Sequence, residues 1–209
     1  ASRVVHAARG RTVVDFAARR THGTESADRF ARVSYMAGFA GTSNVLAGGR
    51  YGIPVHGTMA HSFITTFESE TDAFRAYAAS FPDTSTFLVD TYDTLEGTRR
   101  AIEVAKEMRA RGHELRAVRL DSGDLLDLSV RARRLLDEAE LREVQIFASG
   151  GLDESEIEAL LEADAPIDGF GVGTRVGVSA DSPYADSVYK MVAYDGRPVL
   201  KLSTGKETL

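Results

Sequence analysis

Four short apolar runs, Thr86–Asp90, Leu115–Leu120, Val144–Ala148 and Asp168–Val172, each lead into a polar or glycine residue. The closing residues Asp90, Asp121, Ser149 and Gly173 lie 31, 28 and 24 positions apart. That interval holds one strand, one crossover helix and two turns, and helically spaced segments fill the gaps at Thr94–Arg111, Leu125–Ala139 and Ser155–Ala163. Such alternation dictates a parallel sheet. Polar residues close every strand rather than only the two beside one switch point, which favours a (β/α) barrel with its site at the C-terminal face over an open doubly wound sheet. Six strands are countable, whereas a full barrel takes about 250 residues. The 209-residue chain is therefore read as α/β, an incomplete (β/α) barrel of parallel strands.

The first third fits that scheme. Ser2–Arg9 reads as a helix stopped at Gly10, and Val13–Phe16 as a strand followed by a basic turn. Ala27–Ala40 has helical spacing, and Gly41–Asn44 breaks it and caps a short helix near Val45–Gly48. Ile53–Thr58 is expected to be a strand entered through Pro54, with a helix after His61 and another over Glu70–Ser80. At the far end, Val188–Tyr194 and Pro198–Leu202 flank Asp195-Gly196 and read as a β-hairpin. The expected division is 1–184 as barrel core, with the first part of the barrel outside the chain, and 185–209 as a hairpin returning toward a neighbouring α/β domain.

Charge and composition narrow the partners. A net charge of −6 argues against nucleic acid, since neutralising phosphate backbones calls for a basic surplus. The absence of cysteine removes disulfides, thiolate metal sites and cysteine nucleophiles, and suits a reducing cytosol. No apolar run reaches membrane-spanning length and the N-terminus lacks a signal-peptide core, so the expectation is a cytoplasmic protein without a membrane partner.

The strand ends carry the candidate chemistry. Ala117–Leu126 (AVRLDSGDLL) runs from an apolar strand into Arg119, Asp121, Ser122, Gly123 and Asp124. Two carboxylates and a guanidinium that close together cost too much desolvation for an ordinary core. Ser149-Gly150-Gly151 and Gly171-Val172-Gly173-Thr174 offer backbone N–H groups without obstructing side chains, either as phosphate cradles or as plain turns. Asp90 can orient a base or hold Mg²⁺ through water, or simply cap the helix at Thr94. His61, after a strand end, stands as a catalytic or a structural histidine, with His56 as its neighbour. Arg19 and Arg20 either clamp a carboxylate or phosphate or lie solvated.

Seven stretches together resemble nicotinate phosphoribosyltransferase, in that family's order and nearly end to end. They are DFAARRTHG (15–23), GTSNVLAG (41–48), YGIPVHGTMAHSF (51–63), LVDTYDT (88–94), VRLDSGDL (118–125), ASGGLDE (148–154) and FGVGT (170–174). The resemblance implies a type II phosphoribosyltransferase that joins nicotinate to phosphoribosyl pyrophosphate, giving nicotinate mononucleotide and pyrophosphate for NAD synthesis. ATP would be a coupled co-substrate, Mg²⁺ the cofactor with ligands unknown, and the full-length protein a homodimer.

The same resemblance implies residue roles. His61 would be transiently phosphorylated by ATP, Asp90 and Asp121 would be catalytic, and Arg19, Ser43, Arg119 and Asp124 would bind substrate. Ser149, Gly150, Gly151, Gly171, Gly173 and Thr174 would line the phosphate pocket. Ser43 stands where the related nicotinamide phosphoribosyltransferases carry an aspartate, which implies nicotinate as the base. Nicotinamide or quinolinate phosphoribosyl transfer is the alternative activity, and a folded but non-catalytic fragment the alternative of another class.

Overall fold

The computed structural model describes residues 1–178 and 189–202. Six strands form one parallel sheet: β1 (Thr12–Asp15), β2 (Gly41–Thr42), β3 (Thr86–Leu88), β4 (Ala117–Leu120), β5 (Gln145–Ser149) and β6 (Gly169–Val172). Their order is β2-β1-β6-β5-β4-β3. Chain order is kept from β3 to β6 and the sheet then returns to β1, as in an incomplete barrel rather than in a sheet that reverses at a switch point. A separate antiparallel pair, β7 (Ala193–Tyr194) and β8 (Arg197–Pro198), turns through Asp195 and Gly196, both with positive φ, as the Asp-Gly signal predicts. The strands are shorter than expected: 189–192 and 199–202 flank them without joining them, apart from the Val199 N–H donating to the Val192 carbonyl at 3.0 Å. The expected boundary near 184/185, Val188 and 203–209 lie outside the described residues.

The chain divides into two compact units, 1–57 with 148–187 and 58–147 with 188–209. In the first, β1 is hydrogen-bonded between β2 and β6, with Asp15 opposite Thr42 on one side and Val172 on the other. α1 (Ser2–Ala7) packs on α8 (Glu154–Glu162), and α2 (Thr24–Met36) packs on α3 (Val45–Tyr51). α2 begins and ends earlier than the expected Ala27–Ala40, because Gly23 at φ 94° and Gly38 at φ 110° set its limits. Asn44 caps α3 by accepting from the Ala47 N–H, and a short helix, α9 (Thr174–Gly177), follows β6.

The expected strand over Ile53–Thr58 is not formed, and the second strand is instead Gly41–Thr42. Around Pro54 only Val55 bridges to Thr42; the Thr42 N–H donates to the Pro54 carbonyl and the His56 N–H to the Thr42 carbonyl. Proline has no N–H to carry the ladder further. The short β2 also requires glycine, because a Cβ on Gly41 would lie 2.3 Å from the Pro54 carbonyl oxygen.

The second unit holds β3 and β4 with α4 (His61–Thr65), α5 (Glu70–Ser80), α6 (Thr94–Ala110) and α7 (Leu125–Glu138). Its core includes Phe74 stacked on Phe87 at 4.7 Å, both fully buried together with Leu88, Leu120 and Leu136. Side-chain caps start its longer helices: Ser69 for α5, Asp93 for α6 and Asp124 for α7.

α6 sits directly on the end of β3, where a Cβ on Gly97 would lie 2.0 Å from the Val89 carbonyl oxygen. Gly97→Ala should therefore destabilise the protein by about 1–3 kcal/mol, the usual cost of overpacking, despite alanine's better helix propensity. Denaturant unfolding of the variant beside wild type checks this.

Candidate functional site

Three strand and loop ends of the second unit place one cluster. His61 opens α4, Asp90 follows β3 and Asp121 follows β4. One ligand atom from each lies within 4.8 Å of the others. His61 Nε2 is 3.6 Å from Asp121 Oδ2 and 3.9 Å from Asp90 Oδ1, beyond hydrogen-bond distance. His61 Nδ1 is held by Thr91 Oγ1 at 3.1 Å.

Asp90 is fully buried. Its Oδ2 accepts from Ser122 Oγ, while Oδ1, like His61 Nε2, is buried without a hydrogen-bond partner. Leaving two such atoms unsatisfied costs free energy that an ordinary core would have removed. The alternative role for Asp90 as a helix cap is taken by Asp93, which accepts from the Glu96 N–H.

Arg119 forms the cationic side of the cluster. One terminal nitrogen donates to Thr58 Oγ1 at 2.7 Å and the other to Asp121 Oδ1 at 2.8 Å. With both side chains mostly buried, the pair fixes the orientation of the Asp121 carboxylate. Asp124 is exposed and its side chain accepts from the Leu126 and Asp127 N–H groups, the work of a helix cap.

Burial is the main influence on His61 and lowers its pKa from the ordinary histidine value, with the positive charge of Lys201 adding to that effect. Asp121 and Asp90 oppose it. A neutral imidazole that donates its Nδ1–H to Thr91 Oγ1 carries its lone pair on Nε2. Two carboxylate oxygens, one of them unsatisfied, also suit a hard divalent cation that keeps waters or phosphate oxygens in its remaining positions.

The other expected site residues belong to the first unit. Arg19 is exposed in the turn after β1, and Ser43 is half-buried after β2 with its N–H donating to the Asp15 carbonyl at 2.8 Å. Ser149 is buried at the end of β5, and Gly150 and Gly151 follow it with φ of 99° and 71°, a backbone that favours glycine. Gly171 lies buried within β6, while Gly173 precedes Thr174 at the start of α9. A Cβ on Gly173 would come within 3.1 Å of the Phe16 carbonyl oxygen.

Thr58, Thr91, Ser122 and Lys201 were not among the expected site residues. Thr91 and Ser122 directly follow Asp90 and Asp121, so adjacency to a charged strand end is the signal that would have found them; Thr58 lies three residues before His61 in the same GTMAHS stretch. Lys201 follows β8, far along the chain, and no local pattern marks it.

Fold and cluster define an α/β protein with an incomplete barrel of parallel strands and a histidine and two carboxylates gathered at strand and loop ends. Residues 12–206 match the nicotinate phosphoribosyltransferase (NAPRTase) family, and the chain belongs to that family. It is 59% identical over 206 residues to nicotinate phosphoribosyltransferase pncB2 of Mycobacterium tuberculosis, covering 99% of this chain and 44% of that protein. Against the nicotinate phosphoribosyltransferase of Bacillus subtilis it is 44% identical, covering 93% and 40%. The crystal structure of human nicotinic acid phosphoribosyltransferase superimposes with a TM-score of 0.75 at 27% identity, covering 94% and 48%. The chain thus spans about half the length of the relatives it matches.

Glu70, at the start of α5, has a fully buried side chain paired to Arg100 at 3.2 Å. Burial, with smaller contributions from Asp90 and Glu96, outweighs Arg100 and raises its pKa from 4.5 to about 7. Between those values the folded protein keeps a proton that the unfolded chain has released, so stability should fall as pH rises through that window. Glu70→Gln should flatten this dependence, worth about 2–3 kcal/mol at most. Unfolding midpoints at pH 5 and pH 8 measure it.

Proposed function

We propose that the protein containing this chain is a nicotinate phosphoribosyltransferase, forming nicotinate mononucleotide and pyrophosphate from nicotinate and phosphoribosyl pyrophosphate. The observation that carries the reading is the His61, Asp90 and Asp121 cluster, with its unsatisfied buried atoms, in a chain of this family. In the transfer, the bond from the ribose anomeric carbon to pyrophosphate breaks and the leaving group takes the electron pair. A bond from the pyridine nitrogen to that carbon forms. The transition state is oxocarbenium-like, so carboxylates near the ribose stabilise developing positive charge. Asp121, oriented by Arg119, serves that role in this reading.

ATP hydrolysis is coupled through His61. Its Nε2 attacks the γ-phosphorus, the bond to ADP breaks, and water later cleaves the phosphorus–nitrogen bond to release phosphate. The lowered pKa of His61 and the engagement of Nδ1 by Thr91 support a nucleophilic Nε2. Asp90 and Asp121 would hold Mg²⁺, which supplies charge neutralisation at phosphate oxygens when bound.

Arg19 and Ser43 are assigned to the base. A neutral hydroxyl at Ser43 does not repel a carboxylate, whereas an aspartate there would accept a bond from an amide and repel an acid. The turns Ser149-Gly150-Gly151 and Gly171 to Thr174 are assigned to phosphate, and Asp124 to a capping role beside the site. A cytoplasmic homodimer is the assembly proposed; among the described residues no helix is long and apolar enough to cross a membrane.

The deciding assay gives labelled nicotinate and phosphoribosyl pyrophosphate to the full-length protein, with and without ATP. Labelled mononucleotide should form and ATP should stimulate it; no product under either condition overturns the reading. His61→Ala should abolish the stimulation and acid-labile phosphate incorporation from γ-labelled ATP. Ser43→Asp should shift preference toward nicotinamide by about tenfold or more in kcat/KM.

A further inference from the structure

Asp15 is a buried carboxylate to which the chemistry above gives no task. It ends β1, with 1% of its surface exposed, and both of its oxygens are engaged. Oδ1 accepts from the Ala17 N–H at 2.7 Å and Oδ2 from Thr42 Oγ1 at 2.6 Å. These two partners lead to different loops. The Ala17 carbonyl accepts from the Arg20 and Thr21 N–H groups at 2.8 and 3.2 Å, so the turn that carries Arg19 hangs on Ala17. Thr42 Oγ1 in turn accepts from the Asn44 N–H at 3.0 Å, and the Asp15 carbonyl takes the Ser43 N–H. Ser43 is thus gripped on both sides by groups that Asp15 fixes.

We infer that Asp15 is a positioning residue for base recognition, setting Ser43 relative to the Arg19 turn through its paired bonds to Thr42 and Ala17; this rests on the function proposed above. The charge state matters to the geometry. A carboxylate accepts at both oxygens, whereas an asparagine must turn its amide donor toward either the Ala17 N–H or the Thr42 hydroxyl. One orientation opposes two donors, and the other takes away the acceptor for the Thr42 proton. Either way, one of the two loops loses its tie. Burial holds the Asp15 carboxyl above the usual carboxylate range, and the bonds from Thr42 and Ala17 offset part of that rise.

The experiment compares wild-type full-length protein with Asp15→Asn, Thr42→Val and Thr42→Ser. Steady-state kinetics with each substrate varied is combined with equilibrium dialysis of labelled nicotinate. Asp15→Asn and Thr42→Val should each raise the KM and Kd for nicotinate about tenfold, leaving kcat and the KM for phosphoribosyl pyrophosphate within about twofold. Thr42→Ser, which restores the hydroxyl, should return nicotinate binding to near wild type.

Two results overturn the inference: nicotinate binding unchanged in the folded variants, or kcat and both KM values moving together as a general loss of structure would require. Thr42→Val, which removes one hydrogen bond and no charge, decides the matter if Asp15→Asn does not fold. Failure of the functional reading shows in the wild type, as absence of turnover with nicotinate, and so is distinct from failure of the Asp15 inference, which shows only in the variants. If another pyridine base proves to be the substrate, the same comparison is read with that base.

Discussion

A carboxylate buried at the end of a parallel strand is costly, and the second unit places one there with only one of its oxygens satisfied. Asp90 takes a bond from Ser122 and leaves Oδ1 facing the equally unsatisfied Nε2 of His61. Neither atom reaches the other within bonding distance. The free energy spent on that gap has to come from the apolar packing beneath it, in which Phe74 stacks on Phe87 and Leu88 and Leu120 are sealed from solvent. Close apolar packing up to the strand end holds the polar atoms just beyond it apart, ready for a group from outside the chain.

Strand ends in the first unit are handled in the opposite way. Asp15 is equally buried, yet both of its oxygens are taken by its own chain. One buried acid is thus built to receive and the other to hold. The difference comes from what lies across from each: beside Asp15 is a threonine one strand over and a tight turn on its own strand, while beside Asp90 is an imidazole whose other nitrogen is already occupied.

Much of this was legible in the chain itself. The rhythm of Asp90, Asp121, Ser149 and Gly173 located β3 to β6, because apolar runs that end in a polar or glycine residue at this spacing have few other uses. Asn44 and Asp-Gly at 195–196 were likewise readable, since caps and tight turns depend on local chemistry alone. The second strand was not. Ile53 and Val55 have the branched side chains of a strand, whereas Gly41-Thr42 carries almost no strand signal, and only the tertiary pairing with Asp15 makes it one. Lys201 and Asp15 escaped notice for a related reason. The influence of Lys201 reaches His61 from a distant part of the chain, and the significance of Asp15 lies in a bond to a residue 27 positions away.

The arrangement at Pro54 bears on how this edge of the sheet can pair. A strand at the rim of a sheet offers its unpaired amides to any passing chain, and long flat rims are where proteins stick to one another. β2 is two residues long, and the segment beside it makes a single bridge at Val55, between Pro54 and Gly57. So short a ladder offers little regular backbone along this edge of the described sheet, and the irregularity that hid the strand from the sequence also limits how far any further segment can pair beside it.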